Sequence, residues 1–433
     1  MLLVVGWWWG TERVRALDRS VLASRGDTAG RALVVVAEPP RRGRWDVHVR
    51  AVVLRWRGER LHEPVLLQLP GSRAPPQGAR LSALATVRPP PAYERTWLRR
   101  HGVHVVLRAS RWRIVRVRGG VADRLHAWLA RASTPGLAGE RRAVLAGVVL
   151  GEDGGLSETL RQRFRASGLY HLLAVSGGNV LVVAGGTVTI ALLAGVSRLV
   201  AEVFALAAIA AYVLAVGPQP SVIRAGIAGG LLSLAWLTGR QSDRWYALLV
   251  SAVVLLAWNP WNLLDPGFQL SFAAVVSIFV LAPRLRRGLE GYPVPALALD
   301  CIAISTACGL ATAPISWLHF HTIPVLTVPA NAAAAPVVVP MLALALLAAM
   351  LPPFGPLLAQ AAGWCAAYLA GCARFFGGLP GAQARSPAAV AALGAGVLLA
   401  AAYAWRRGER AEAGLPPTRE RRAQDRARGS PLA

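Results

Sequence analysis

GLYHLLAVSGGNV, residues 168–180, opens the apolar half of this chain, and DPGFQLSFAAV, residues 265–275, lies deep within it. In the first string His171, Ser176 and Asn179 are polar groups set in an apolar stretch. Gly177-Gly178 lets the backbone bend or another helix approach closely, so the segment reads as the lining of a wet cavity, with a satisfied structural hydrogen bond equally open for His171. Outward from these strings the context is uniform: the 240 residues from Ala166 to Trp405 hold only 14 charged side chains, gathered at the ends of apolar runs. A hydrocarbon core about 30 Å thick needs roughly 20 apolar residues per helix, so this half predicts a polytopic α-helical membrane bundle.

The runs give about nine spans: Leu169–Val196, Leu199–Val216, Ser221–Thr238, Trp245–Trp258, Gly267–Ala282, 294–318, Val325–Met350, Gly355–Phe376 and 387–405. Those ending at Trp258 and Ala282 are short for a crossing, which admits re-entrant segments. Arg224 is the only charged residue between Glu202 and Arg240. A charge inside a span is costly and faces the bundle interior or water, which makes Arg224 the best single candidate for contacting an anion there, with a snorkelling arginine as the bland alternative. In Asp265-Pro-Gly-Phe-Gln269, Asp265 can cap a helix that Pro266 starts, and Gln269 then points inward. Asn331, between Pro329 and Pro336, predicts a broken span whose unwound backbone lines a cavity.

Threading these spans puts Arg198, Arg240/Arg244, Arg284/Arg286/Arg287 and Arg406/Arg407 on one side, which the positive-inside rule makes cytoplasmic. An odd number of spans then places the N-terminal part outside and residues 406–433 as a disordered basic tail inside. Arg374 and Arg385, which flank an outside loop, are exceptions. The apolar start, residues 1–10, is too short to span and reads as the end of a truncated membrane helix, with the true start expected upstream.

Residues 11–120 differ sharply. Segments such as RWDVHVRAVVLRWRG and VHVVLRASRWRIVRVRG alternate with period two between Pro- and Gly-rich breaks, which predicts a small antiparallel sheet or barrel; residues 121–165 read as a helical linker. All 47 basic residues of the chain are Arg, and between Gly10 and Gly120 there are 23 Arg against 8 acids, a net of +15. Such an excess attracts a polyanion, whether nucleic acid or anionic lipid. Arg42, Arg44, Trp45, Arg55, Trp56, Arg57, Arg111, Trp112 and Arg113 are the candidates for contacting one. In each Arg-Trp-Arg triplet the pleat puts Trp on the opposite face from its neighbours, so the competing reading has Trp filling the core and Arg solvated.

HLLAVSG (171–177), SVIRA (221–225), WNP (258–260) and DPGFQLSF (265–272) occur in this order and spacing in a known family, and the chain resembles ComEC proteins, which admit single-stranded DNA during natural transformation. The resemblance implies an outer OB-like barrel, a DNA path carrying His171, Ser176, Asn179, Arg224, Asp265, Gln269 and Asn331, and a location in the cell membrane. It also implies partners: single-stranded DNA, membrane lipids, a DNA receptor, a helicase motor and a separate nuclease, with a homo-oligomer left open. OB barrels bind single strands with a basic groove and aromatic stacking. Family members often carry His at the position of Asn179 and Gln near Cys308-Gly309, and this chain does not.

Many ComEC-like proteins continue into a metallo-β-lactamase-like domain, whereas 28 residues follow Trp405 here. His319-Phe-His321 lacks the remaining ligands of such a metal motif. No H-E-x-x-H, Walker loop or G-x-S-x-G occurs, so the expectation is a non-enzyme without cofactor or metal. Cys301, Cys308, Cys365 and Cys372 fall in spans at no zinc spacing and read as small packing residues. A transporter or flippase of anionic lipids or polymers, and a decayed assembly component, are the alternative functions.

Overall fold

The computed structural model describes residues 2–42, 46–71, 74–117, 119–217, 219–239, 241, 243–290 and 295–391. Arg44, Trp45, Arg240, most of the 387–405 span and the tail lie outside them; Arg42 is placed by its backbone alone.

The chain begins with α1 (Leu2–Asp18), so the apolar start is one end of a longer helix. Six strands follow: β1 (Ala29–Val36), β2 (Arg41–Arg42), β3 (Asp46–Trp56), β4 (Glu59–Pro70), β5 (Ala79–Arg88) and, after helix α2 (Ala92–Arg100), β6 (Val106–Val117). β1 pairs with β5 on one edge and β3 on the other, β3 with β4, and β5 with β6. β4 and β6 pair in parallel through Leu66–Gln68 and Val106–Arg108, so the five long strands form a ring. The alternation legible in the sequence sends Val34, Val49, Val53, Leu67, Leu69, Leu81 and Leu107 inward, with small Ala32, Ala51, Ala83 and Ala85 filling the narrow layers. A register shift between Val53 and Arg55 turns Trp56 into this core, where it is 0% exposed. Trp56 therefore offers no face to a nucleotide base, which corrects its assignment as a stacking residue.

Four helices then lead into the apolar half: α3 (Val121–Ala132), α4 (Gly139–Leu150), α5 (Glu158–Ser167) and α6 (Tyr170–Leu173). Beyond them come α7 (Gly177–Leu193), α8 (Arg198–Val216), α9 (Pro220–Leu237), α10 (Arg244–Trp258), α11 (Pro266–Val280), α12 (Ala282–Leu289), α13 (Ala296–Phe320), β7 (Ile323–Pro324), α14 (Thr327–Met350), α15 (Gly355–Gly378) and β8 (Gln383–Ala384). Among the described residues α8, α9, residues 298–320 of α13, and α14 can cross a membrane by length and composition, and α11 with α12, bent by 44°, makes up to a fifth. α7 and α10 are apolar but shorter, at 17 and 15 residues.

Two expectations change here. The 169–196 run is not one helix: it is extended at Ala174–Ser176 and restarts at Gly177. Conversely α14 is continuous through Asn331 with Pro336 and Pro340 inside it. Its start at Thr327 puts Pro329 in the first turn, where a missing N–H costs nothing, while Pro336 and Pro340 each forgo a helical hydrogen bond without interrupting α14. The core is built from small residues on facing helices, Ala330, Ala334, Ala345, Ala359, Ala362, Ala366 and Ala373 among them, which brings α14 and α15 close.

Candidate functional site in the helix bundle

The first site string becomes the start of α7. Ser176 stands at the N-cap, yet its hydroxyl donates to Asn179 Oδ1 at 3.1 Å, and no side chain caps the first turn. The opening N–H groups of α7 thus keep their partial positive charge. Asn179 itself is buried; its Nδ2 donates to Val148 O at 2.7 Å and to Tyr212 Oη at 3.3 Å, while Tyr212 donates to Val149 O at 2.7 Å. Asn179 and Tyr212 therefore bind α7 and α8 to the end of α4, a structural role that corrects the placing of Asn179 on an open path. His171 is exposed, with Nδ1 donating to Gly168 O at 2.8 Å.

Arg224 projects from the first turns of α9 into the space between α7 and α11. Its Nε donates to Ser271 Oγ at 2.9 Å, and its Nη2 lies 3.3 Å from the point a Cβ on Gly177 would occupy. Ser251 of α10 closes the back, donating to Ala247 O at 2.7 Å. No carboxylate pairs with Arg224 among the described residues. A guanidinium half-buried with one hydroxyl partner, beside an uncapped helix N-terminus, is a pairing of positive groups suited to an anion. Ser271 sits within the second string but was not singled out from sequence; its position one helical turn after Phe268 was the available signal. Gln269 faces elsewhere, donating to Leu263 O and accepting from His319 Nε2, both at 2.8 Å. Among the described residues no group of three or more His, Cys, Asp or Glu could hold a metal.

Asp265 is likewise reassigned. Oδ1 caps α11 by accepting from Phe268 N at 3.1 Å, as the Asp-Pro-Gly spacing predicts, but Oδ2 turns out of the bundle to within 3.9 Å of His101 Nε2, just after α2. The same turn supplies Asn259, whose Nδ2 donates to Arg100 O at 3.0 Å, and Leu264, whose carbonyl accepts from Arg100 at 3.3 Å. α1 joins them, with Trp9 Nε1 donating to Ala257 O at 3.0 Å and Arg13 to Trp258 O at 2.8 Å. Two of the four strings, WNP and DPGFQLSF, thus hold the barrel's helices against the bundle. Asp265→Ala is expected to cost about 1 kcal/mol through the lost cap alone, read as a lower thermal midpoint of the purified chain.

The opposite end of these helices gathers cations. Arg198 pairs with Glu202 at 2.7 Å and lies 5.0 Å over Trp236; Arg244 lies 5.0 Å over Phe279; Arg286 pairs with Asp300 at 2.7 Å. The barrel docks at the end marked by Ser176, Pro220, Trp258 and Asp265. Arg198, Arg244 and the exposed Arg284 and Arg287 mark the other end.

On the barrel surface an open groove of about 500 Å³ is lined by Arg55, Arg60, His62 and Arg80 over Leu33, Leu54 and Leu61. Arg60, His62 and Arg80 were not singled out from sequence; Arg60 pairs with Arg55 across the β3–β4 hairpin, and Arg80 is brought in from the distant β5. Arg57 instead clamps Ala29 O at 2.7 Å. Arg111 and Arg113 are exposed, and Trp112 between them is half-buried against the core.

The family model described as Competence protein matches residues 148–410. ComE operon protein 3 of Bacillus subtilis (strain 168) is 30% identical over 168 residues, 39% of this chain and 21% of that protein. The chain thus aligns with about a fifth of the length of the curated relative it matches. No solved structure matches. The match at 148–410 takes in more than half of the chain and all four strings, and the chain belongs to the ComEC family of competence proteins.

Proposed function

We propose that this protein is a channel component that takes up single-stranded DNA across the cell membrane during natural transformation. The observation that carries the reading is Arg224, held without a carboxylate between α7 and α11 beside the uncapped start of α7. A strand with one phosphate per nucleotide supplies the missing negative charge without sequence preference. His171, Gln269 and Asn331 belong to the same proposed path, at greater distance from this cluster.

In this reading the barrel is an OB-like module outside the membrane. The ring order β1-β3-β4-β6-β5 with its one parallel pair supports the OB assignment. Docking at the end opposite Arg198, Arg244 and Arg284 supports the outside placement, since the arginine-rich end of short loops stays in the cytoplasm. The tail then lies in the cytoplasm, and about nine spans complete the bundle. The groove with Arg55, Arg60 and Arg80 gathers the strand; a receptor delivers it, a helicase motor pulls it, and a separate nuclease removes its complement, because this chain is read as no enzyme.

The test is uptake of labelled DNA in a strain lacking the protein, with and without the wild-type gene restored. Uptake is expected to vanish and return with the gene. Unchanged uptake without the protein removes the channel reading, and altered movement of anionic lipids in its place selects the flippase alternative.

A further inference from the structure

His126 lies midway along α3, the helix that follows the last barrel strand through Gly119-Gly120 and packs on α8; it is 6% exposed. Both ring nitrogens face oxygen. Nδ1 is 2.8 Å from Ala215 O and Nε2 is 2.6 Å from Glu152 Oε1. Ala215 belongs to the last turn of α8, and the amide that would have continued that turn, Gln219 N, donates to Gly217 O instead. A carbonyl only accepts, so Nδ1 carries a proton. Nε2 and a carboxylate oxygen at this separation need a second proton between them. The pair therefore holds one proton more than a neutral imidazole beside an ionised carboxylate.

The surroundings favour that proton. On α3 itself Asp123 stands one turn before His126, its carboxylate accepting from Gly120 N at 2.8 Å. Beside Glu152, Asp153 is tied to Arg161 at 3.3 Å and to the Tyr170 hydroxyl at 2.8 Å. α8 presents its negative C-terminal end and the Tyr212 hydroxyl. α4 carries Glu140, Arg141 and Arg142 only at its far end, and α14 has no ionisable residue. Burial pushes the imidazole pKa down, but the bonds to Glu152 and Ala215 O and the charges of Glu152 and Asp123 outweigh it and leave it above 6.5.

We propose that His126, Glu152 and the Ala215 carbonyl form a proton-operated clasp that holds the barrel's linker helix on the bundle while the pair keeps its second proton and releases it when rising pH removes that proton. Which compartment sets that pH rests on the orientation proposed above; the clasp does not. Because the folded value is raised, the stabilisation is complete below the unfolded value of about 6.5 and is lost as pH rises through the higher folded value. Past that point the Nε2 lone pair faces the carboxylate directly and the contact opens.

The test uses the full chain in lipid nanodiscs. Nitrogen NMR of labelled histidine, with the His126 signals identified by their loss in His126→Gln, is expected to show both ring nitrogens protonated at pH 6. Hydrogen exchange of residues 121–132, corrected for intrinsic rates, is expected to lose protection by about tenfold per unit of raised pKa between pH 6 and 9. Glu152→Gln, which keeps the side chain's size, should abolish this pH dependence, and it decides the matter if His126→Gln fails to accumulate. A neutral imidazole at pH 6, or the same pH dependence in wild type and Glu152→Gln, overturns the clasp. Neither readout involves DNA, so its failure leaves the uptake reading standing.

Discussion

Arg224→Glu is expected to abolish transformation while the protein still accumulates in the membrane. The substitution puts a carboxylate where a phosphate is proposed to pass, and like charges forced together in a partly desolvated site cost several kcal/mol, on the order of a hundred- to a thousandfold in passage. Arg224→Lys keeps the charge but loses the planar fork that reaches Ser271, so partial activity is expected. The measurement is transformation frequency in a strain relying on each variant, at membrane levels equalised by immunoblot. Wild-type frequency from Arg224→Glu would remove Arg224 from the path. Ser271→Ala is the companion: it keeps the guanidinium and its charge and removes only the hydroxyl partner, so it should stay closer to wild type than Arg224→Lys.

Gly168→Ala carries the second large effect, and on folding. Gly168 ends α5 at φ +77°, and a Cβ there would collide with Thr327 at the start of α14, whose own hydroxyl donates to Pro324 O at 3.0 Å. Strain from a left-handed non-glycine residue and overpacking each cost roughly 1–3 kcal/mol, so a loss of about 2–6 kcal/mol is expected. That is a large share of typical domain stability. It should appear as a fall in monodisperse protein after extraction and in its thermal midpoint. Thr327→Ala in the same chain should relieve the steric part and leave the backbone part. Equal midpoints for wild type and Gly168→Ala would show that neither the left-handed backbone nor the contact with Thr327 costs stability.

What the sequence made legible was periodicity. Alternation in β3 and β6 predicted strands, and the pleat alone foretold that Trp56 would turn away from Arg55 and Arg57. The apolar runs predicted α8, α9, α13 and α14 within a few residues, and Asp265 before Pro266 predicted a cap. Partners at long range were not legible. A lone Asn in an apolar stretch looks the same whether it lines water or holds a neighbouring helix, and only the approach of Val148 and Tyr212 assigns Asn179 to the second. Asp265 showed its cap but not His101, which lies in another domain. Pro329 and Pro336 suggested a break at Asn331 because proline removes a donor; the start of α14 at Thr327 makes that donor unneeded at Pro329, and the helix runs on through Pro336. Arg55 and Arg60 face each other across the β3–β4 hairpin, and only Arg80 comes from a distant strand, β5, brought alongside through β1.

That ring also dictates an order of events. β4 hydrogen-bonds to β3 on one side and β6 on the other, while β5 lies between β1 and β6. Until Val106–Val117 is in place, β4 and β5 each present an unpaired edge, the feature that lets strands of different molecules join. The closing pairs span about 40 residues between Leu66 and Val106, a separation that makes closure slow compared with hairpin formation. Protection against edge-to-edge association therefore arrives in one step, with the last strand, and a nascent chain stalled before that strand would be the species most prone to aggregate.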